Sequence, residues 1–458
     1  MRFQLSATVQ SLTGFPSNKQ PFSETQFAHQ VYNRMILVEG RGKELTTIPQ
    51  GEQRSVSQRK NPDWDWPFWP LLPLYPYGQR RTVLREIVPD TIWVLEQIQG
   101  VLYVTVPIRM TVVKLQMGGL WVYAPVAPTP ECIRWMNQLV DRHGPVKFII
   151  LPTVSGIEHK IFVGPFARYF PSAQVFVAPH QWSYPLNLPL SWLGLPSRRT
   201  KTLPATGQGI PFIEEFDYEL LGPIELGLGR FLEAVFYHRP THTLLTTDTI
   251  IAIPEEPPPV VQLDPYPLLF HARDHGLDLI IDSPSHRCKG WQRICLFANY
   301  FRPSAVDAVS LSTGWKQAQH GGDRSSKAYF GLFPFHWQSN WHESFLILHN
   351  QGRPFVAPIL QTLILNRGVS TTLHWADRVA KWDFTQIIPC HFQAPVTSTP
   401  SIFREAFSFL ESSSTQSMSN RGEIHQTDFA CIQQIEAFCP PFCHHGKINS
   451  FIQFLVKL

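Results

Sequence analysis

An α/β fold is predicted by three observations: a series of strand-like runs, one clearly delimited helix, and a buried strand directly after that helix. The runs are rich in β-branched and aromatic residues, which favour strands. They cover residues 91–95, 101–106, 110–115 and 118–123. Such closely spaced runs are typical of an antiparallel meander.

The helix is predicted over residues 129–143. Thr129 is a favourable N-cap, Pro130 suits the first helical position, and Gly144 follows the last helical residue. The apolar run 146–151 comes next and is typical of a buried strand. Strand, helix and strand in this order indicate the α/β class.

Further elements are expected downstream. Strands are predicted at 174–178, 231–237, 243–246 and 384–388, and helices at 165–170, 289–300, 358–366, 373–381 and 402–410. The proline-rich stretch 253–269 is expected to form an extended loop over the surface.

Composition and charge exclude several classes of protein. The 458 residues carry a net charge of only +4, which is too small and too scattered for a nucleic-acid-binding surface. Apolar runs fall short of the roughly 18 residues that span a membrane, so no transmembrane segment is expected. The sequence has no glycine-rich phosphate-binding motif, so no nucleotide cofactor is expected. Peripheral membrane contact stays possible through the apolar stretch 185–196.

Four segments are predicted along the chain. Residues 1–60 are expected to be disordered or to form a targeting segment, and residues 61–90 to form an extended arm rich in Trp and Pro. Residues 91–411 are expected to form the folded domain, with an insertion at about 253–350. Residues 412–458 are predicted to be a linker and a tail of uncertain order.

Residues of metal-ligand type directly follow three of the predicted strands. Glu158 and His159 come after strand 146–151, Asp248 follows strand 243–246, and His391 follows strand 384–388. Loops after strand ends are where a sheet gathers a site from distant parts of the chain. Two imidazoles with one or two carboxylates suit zinc, iron or manganese. The strand context therefore indicates a metal site.

Each of these residues also has a purely structural interpretation. Glu158 stands three residues after Ser155 and completes a capping-box pattern, which starts a helix without any ligand role. Asp248 suits a turn that satisfies its own backbone. A single histidine such as His391 is more often hydrogen-bonded within the fold than a ligand. Both interpretations stay open from the residues alone.

Longer motifs connect the chain to a known family. They lie at residues 66–78, 110–115, 119–129, 150–160, 185–195, 264–271 and 387–391. Through them, residues 64–410 resemble the DUF4336 family of cyanobacteria and plant plastids, which is similar to a divergent branch of the metallo-β-lactamase superfamily. The resemblance implies an αββα sandwich of metallo-β-lactamase type with helical insertions.

The resemblance also implies an incomplete metal site. The superfamily motif His-x-His-x-Asp-His falls on residues 154–159, where its two leading histidines, which serve the first metal of the usual pair, are absent. Ligands of the second metal are retained as Glu158 and His159, while Asp248 resembles the bridging aspartate and His391 the final histidine. The superfamily's middle histidine has no counterpart at 222–230.

Two functions are compatible with such a site. One Zn, Fe or Mn ion held by Glu158, His159, Asp248 and His391 would support hydrolysis of an ester, thioester or amide. Alternatively, the site has decayed, and the protein binds an unidentified small molecule or protein partner as a scaffold in a photosynthetic organism. Catalytic residues are not assigned by the sequence. The expected compartment is the cytoplasm in a bacterium and the plastid in a eukaryote.

Overall fold

Two β-sheets and the helices around them form the described part of the chain. The computed structural model describes residues 61–71, 73–154, 157–181, 189–205, 207, 209–226, 229–411 and 423–438. The disorder or targeting role predicted for residues 1–60 therefore lies outside the described residues, as does most of the tail predicted at 412–458.

Within the described residues, sheet A contains seven strands in sequential order. They are β1 Val83–Val88, β2 Ile92–Val101, β3 Val104–Lys114, β4 Leu120–Tyr123, β5 Val146–Leu151, β6 Gln174–Val177 and β7 Thr200–Thr202. Neighbours from β1 to β4 are antiparallel, and neighbours from β4 to β7 are parallel. The meander thus continues directly into the strand–helix–strand part, as the sequence predicted. β1 lies within the stretch 61–90 that was assigned to the arm.

The strand predicted at residues 101–106 is interrupted by a turn: Val101 ends β2, and residues 104–106 begin β3. Leu102 and Tyr103 have positive φ angles of 49° and 65° and form the turn that joins β2 to β3. Residues 101–106 are of types that favour strands, but Tyr103 is instead buried at this turn. Its ring packs against those of Tyr75 and Phe270. Tertiary packing therefore outweighs the strand preference of these residues.

Sheet B contains five strands among the described residues, in the order β14-β13-β10-β9-β8. They are β8 Phe216–Glu225, β9 Arg230–His238, β10 Thr243–Thr246, β13 Gln386–Pro389 and β14 Val396–Thr397. β10 and β13 are parallel, and the other neighbours are antiparallel. A separate two-stranded sheet pairs β11 Val306–Ala308 with β12 Phe335–Trp337.

The helices include every one predicted from the sequence, most of them with shifted ends. Their bounds are α1 Pro130–His143, α2 Ile157–Tyr169, α3 Pro259–Gln262, α4 Tyr266–His271, α5 Pro284–Tyr300, α6 Leu311–His320, α7 Trp341–His349, α8 Pro358–Leu363, α9 Val369–Val379, α10 Pro400–Glu405, α11 Glu423–Asp428 and α12 Ala430–Phe438. Thr129 caps α1 as predicted, because its hydroxyl accepts the Cys132 N–H at 3.2 Å. No helix in the described ranges is long and apolar enough to cross a membrane.

Three apolar layers hold the sheets and helices together. Between the sheets, side chains such as Trp121 of β4 and Phe236 of β9 pack into one buried cluster. The outer face of sheet A packs against α1 and α2, for example Val122 with Phe162. The outer face of sheet B packs against α9 and α10 around Trp375. Helices, sheet A, sheet B and helices thus follow one another, which confirms the predicted fold class, an αββα sandwich of metallo-β-lactamase type.

The surface loop predicted at 253–269 is wrong. This stretch contains α3 and the start of α4, and Val260, Val261 and Leu268 are buried in a cluster with α5. Proline is favourable at the first positions of short helices, so its abundance here marks helix starts and not only irregular backbone. Contact between α4 and α5 is close, because a Cβ on Gly290 would lie 1.8 Å from the Leu268 carbonyl oxygen.

Part of the tail also packs onto the domain. Asp428 of α11 is buried and accepts hydrogen bonds from Ser304 N at 2.7 Å and Ser304 Oγ at 2.5 Å. Ile432 of α12 joins the cluster around α5. His271, the last residue of α4, is also fully buried, and this burial lowers the pKa of His271 to about 3.

Candidate functional site

The candidate site lies at the edge where β5, β10 and β13 end. The loop after β13 is tied to the end of β10, since Cys390 N donates to the Thr246 carbonyl at 3.0 Å. The residue pair Thr153 and Glu233 forms a bridge between the loop after β5 and β9. These contacts bring together chain segments that are far apart in sequence.

His391 and Asp248 are in direct contact. The His391 Nε2 atom lies 3.0 Å from Asp248 Oδ1, and His391 Nδ1 lies 3.1 Å from the Pro107 carbonyl oxygen. The backbone of His391 also pairs with that of Ile108 in β3. A ring whose Nδ1–H is donated to a carbonyl presents Nε2 for coordination, which is the usual arrangement of a metal-binding histidine.

His159 has the same anchoring. It is fully buried in α2, and its Nδ1 lies 3.2 Å from the Pro125 carbonyl oxygen just after β4. The ring centroids of His159 and His391 are 6.3 Å apart. Glu158 precedes His159 in α2, but its side chain lies outside the described residues. Its ligand role, and the alternative capping role, stay predictions.

The first position of the absent half of the superfamily motif is occupied by apolar packing. Val154 stands where the first leading histidine would be, and it is buried against Ala178 and Leu232. Gly156, at the second position, lies outside the described residues. A first metal therefore has no ligand at residue 154, as the sequence indicated.

The ionisation of Asp248 is supported by the two histidines. Burial disfavours its charge, but the hydrogen bond from His391 and the positive charges of His391 and His159 outweigh burial and hold the pKa of Asp248 below its usual value. Asp248 is thus an anionic oxygen donor that faces two imidazoles.

Glu233 of β9 fixes the loop that carries Asp248. This fully buried carboxylate accepts the backbone N–H groups of Thr247 at 2.7 Å, Asp248 at 3.1 Å and Thr249 at 3.0 Å, and also the Thr249 hydroxyl at 2.9 Å. Burial and the nearby charge of Asp248 raise the pKa of Glu233 to about 7, against the effect of these hydrogen bonds. A glutamate within the apolar run 231–237 was the sequence signal for this role, and it was missed.

A buried ion-pair network fixes the loop that carries His391. Arg109 of β3 donates to Glu96 of β2 at 2.7 Å, to the Phe392 carbonyl at 2.7 Å and to the Pro389 carbonyl. Arg85 contacts Glu96 at 2.7 Å and 2.9 Å. Burial disfavours the Glu96 charge, but Arg109 and Arg85 outweigh it and lower the pKa of Glu96.

A pocket of about 280 Å³ opens beside Asp248 and His391. Asp248 and His391 line one part of it and are 20% and 15% exposed. Other lining comes from α5 and α8, including Asn299 and Ile359. The pair is therefore reachable by a small molecule, whereas His159 lies buried behind it.

The donors present suit a divalent ion but are not closed around one. Two imidazoles on one zinc ion, with bonds of about 2.1 Å at a tetrahedral angle, have ring centroids roughly 5 Å apart, and the observed 6.3 Å is wider. Among the residues that the structure describes, no three His, Cys, Asp or Glu side chains lie close enough to hold a metal. Glu158, whose side chain is not described, is the fourth predicted donor.

The order of helices and sheets defines a fold of metallo-β-lactamase type, and the ends of its strands bring Asp248 and His391 together at one edge. The chain belongs to the DUF4336 family: the family model, described as a domain of unknown function, matches residues 89–409. A search of curated proteins gives no significant match.

Solved structures of similar shape are distant in sequence. The metal-soaked Flv1 flavodiiron core from Synechocystis sp. PCC6803 is 9% identical with a TM-score of 0.35, and the match covers 72% of this chain and 61% of that chain, less than two thirds of its length. The mono-zinc form of the metallo-β-lactamase FIM-1 from Pseudomonas aeruginosa is 12% identical, with a TM-score of 0.32 and coverage of 72% and 94%. A metallo-β-lactamase from Pontibacter korlensis is 14% identical, with a TM-score of 0.29 and coverage of 59% and 100%. At these TM-scores the matches say nothing about the site or its chemistry.

Proposed function

We propose that the protein is a metal-dependent hydrolase that uses one Zn, Fe or Mn ion. The observation that carries the proposal is the contact between His391 Nε2 and Asp248 Oδ1 beside an open pocket, with His159 behind them. Both histidines have their Nδ1 atoms anchored on proline carbonyls, as ligand histidines do. His159, Asp248 and His391 would hold the ion, with Glu158 as the fourth donor. When bound, such an ion supplies Lewis acidity for hydrolysis of an ester, thioester or amide.

The chain's own residues contribute position and access. Glu233 fixes the backbone on both sides of Asp248, and Arg109 fixes both ends of the turn that carries His391. The pocket admits a substrate to Asp248 and His391 from one side. Preorganised donors of this kind reduce the cost of ordering a site when it binds its ion.

A second candidate is a binding protein without chemistry. It is favoured by the 6.3 Å ring separation and by the lack of a closed three-donor group among the described residues. In this case, the pocket beside Asp248 and His391 would bind a small molecule, or the fold would bind a protein partner, and no ion would be retained.

The deciding experiment is elemental analysis of the purified full-length protein by mass spectrometry. The wild type, after addition of Zn, Fe or Mn and removal of excess, should retain about one ion per chain. His159→Ala and His391→Ala should lose it, while His336→Ala, a change at an exposed histidine, should retain it. Glu158→Ala tests the fourth predicted donor in the same way.

A folded wild type that holds no ion under these conditions contradicts the hydrolase and supports the binding protein. If the ion is held, hydrolysis of a panel of esters, thioesters and amides should occur in the wild type and should fall at least a hundredfold in His391→Ala. Retention of the ion without hydrolysis of any class in the panel would also contradict the proposal.

A further inference from the structure

We propose that the pocket beside Asp248 and His391 binds the uncharged, apolar acyl group of the substrate, a linear chain of about eight carbons. As a substrate assignment this rests on the proposed hydrolase function, whereas binding of the acyl group can be tested without it. The inference deepens the function because it selects acyl esters, thioesters or amides whose acyl group is uncharged and apolar.

Away from Asp248 and His391, the walls of the pocket disfavour a charged occupant. Apart from Asp248 and His391, the described residues that line it carry no ionisable side chain. One wall comes from α5 and α8 with Ala298, Ile359 and Leu360, and the opposite side comes from β3 and β9 with Val106 and Phe231. A charged group placed against these apolar residues would lose hydration and gain no charged partner from them.

The described lining offers few polar groups to orient a carbonyl. Asp248 and His391 form the only ionisable part of the described lining, and Asn299 is its other polar residue. Asn299 is buried, and its amide donates to the Cys295 carbonyl at 2.9 Å, which restricts its rotation. An apolar pocket with a few fixed polar groups is the usual form of a small-molecule site, in which the polar groups orient the ligand.

The volume sets the length of the acyl group. A pocket of about 280 Å³ holds roughly nine groups of the size of a water molecule, at about 30 Å³ each. A carbonyl and a chain of seven further carbons fill this space. Longer chains would extend beyond the pocket and gain little additional burial.

Binding is tested by isothermal titration calorimetry with straight-chain primary amides from butanamide to decanamide. These probes carry an uncharged carbonyl, and without a bound ion the protein is not expected to hydrolyse their amide bond. The full-length protein is treated with a chelator first, so that the readout does not depend on an ion. Affinity should rise about fourfold per methylene up to octanamide and then level off. Absence of binding by the whole series, or a rise that continues unchanged through decanamide, would overturn the inference.

Matched tryptophan variants locate the binding. Ile359→Trp places an indole in the pocket from a half-buried position and should weaken octanamide binding at least tenfold. Ile281→Trp makes the same change at a side chain that is 52% exposed and outside the pocket lining, and it should bind octanamide like the wild type. Equal affinities of the two variants, with circular dichroism showing both to be folded, would refute the location.

Failure of this inference and failure of the hydrolase proposal give different results. Chain-length-dependent amide binding in a protein that retains no ion would support the acyl pocket and contradict the hydrolase. An ion lost in His391→Ala, together with no amide binding in the wild type, would support the metal site and contradict the acyl pocket.

Discussion

Replacement of Arg109 tests how the structure holds His391 in place. Arg109 is 1% exposed and joins Glu96 to the carbonyls of Pro389 and Phe392, so that β3 of sheet A is linked to the turn after β13 of sheet B. Arg109→Met keeps an unbranched side chain of similar length but removes the charge and all of these hydrogen bonds. The buried carboxylate of Glu96 then retains only Arg85 as a cationic partner.

The expected loss follows from these contacts. Removal of one partner of a buried ion pair costs about 3–5 kcal/mol. Arg85 still contacts Glu96 at 2.7 Å and 2.9 Å, so the lower end, about 3 kcal/mol, is expected for Arg109→Met. This is a large share of the roughly 5–15 kcal/mol that stabilises a typical domain.

Urea unfolding followed by circular dichroism measures this loss. The matched control is Arg134→Met, because Arg134 pairs with Asp63 at 3.2 Å with both side chains about half exposed, and such a pair is worth less than about 1 kcal/mol. Arg109→Lys keeps the charge, but its compact ammonium cannot span a carboxylate and two carbonyls. It should therefore fall between the wild type and Arg109→Met.

The same variants connect stability to the site. Displacement of the turn that carries His391 should weaken ion binding at least tenfold in Arg109→Met and in Arg109→Lys, in line with the effect of losing residues that orient ligands. Arg134→Met should bind the ion like the wild type. If Arg109→Met and Arg134→Met unfold at the same urea concentration, the network does not hold this turn and the reasoning is refuted.

Three further predictions concern other parts of the molecule. Glu233→Ala removes four hydrogen bonds and should lower the free energy of unfolding by about 2–5 kcal/mol in urea unfolding. The control Glu225→Ala changes an exposed residue and should lower it by less than about 1 kcal/mol. Equal losses would contradict the role of Glu233 in fixing the Asp248 loop. Gly290→Ala forces a methyl against the backbone of the neighbouring helix and should cost about 1–3 kcal/mol or more, whereas Gly314→Ala meets nothing within 4 Å and should be neutral or stabilising. In the folded protein the pKa of His271 is about 3, whereas in the unfolded chain His271 binds a proton near pH 6.5. The free energy of unfolding therefore falls as the pH is lowered from 6.5 to 3. His271→Gln should therefore reduce the slope of unfolding free energy against pH by about 1.4 kcal/mol per unit between pH 6 and 4, and an unchanged slope would contradict the burial argument.

The elements closest to the site could be predicted because local signals agreed there. The strands 146–151 and 243–246 have the same bounds in the structure, and Thr129 caps the helix between the meander and the first of them. Each of these two strands is an apolar run of typical strand length, and the helix has a recognisable cap residue at its start. At 101–106 and 253–269 the composition favoured one structure, and burial of Tyr103 and of Leu268 favoured another. Packing between distant segments is not visible in local composition.

The site could be predicted only in part for the same reason. Asp248 and His391 directly follow β10 and β13, which are parallel neighbours. Because parallel neighbours end at the same edge of the sheet, the two side chains are in contact. The supporting residues Glu233, Arg109 and Glu96 stand inside apolar strands, where a charged residue signals a buried partner but does not identify it. Glu96 and Arg109 face each other in the β2–β3 register, which the sequence could not supply before the hairpin turn was known.

The supporting residues bear on the choice between the two candidate functions. A buried carboxylate and a buried ion pair are often less stabilising than apolar side chains of the same volume. Yet the side chains of Glu233 and Arg109 hydrogen-bond to the backbone of the loops that carry Asp248 and His391. At Val154, where a ligand of the first metal is absent, the structure has filled the space with apolar packing. Under the hydrolase proposal these buried charges have a reason, because they hold Asp248 and His391 in position at a cost in stability.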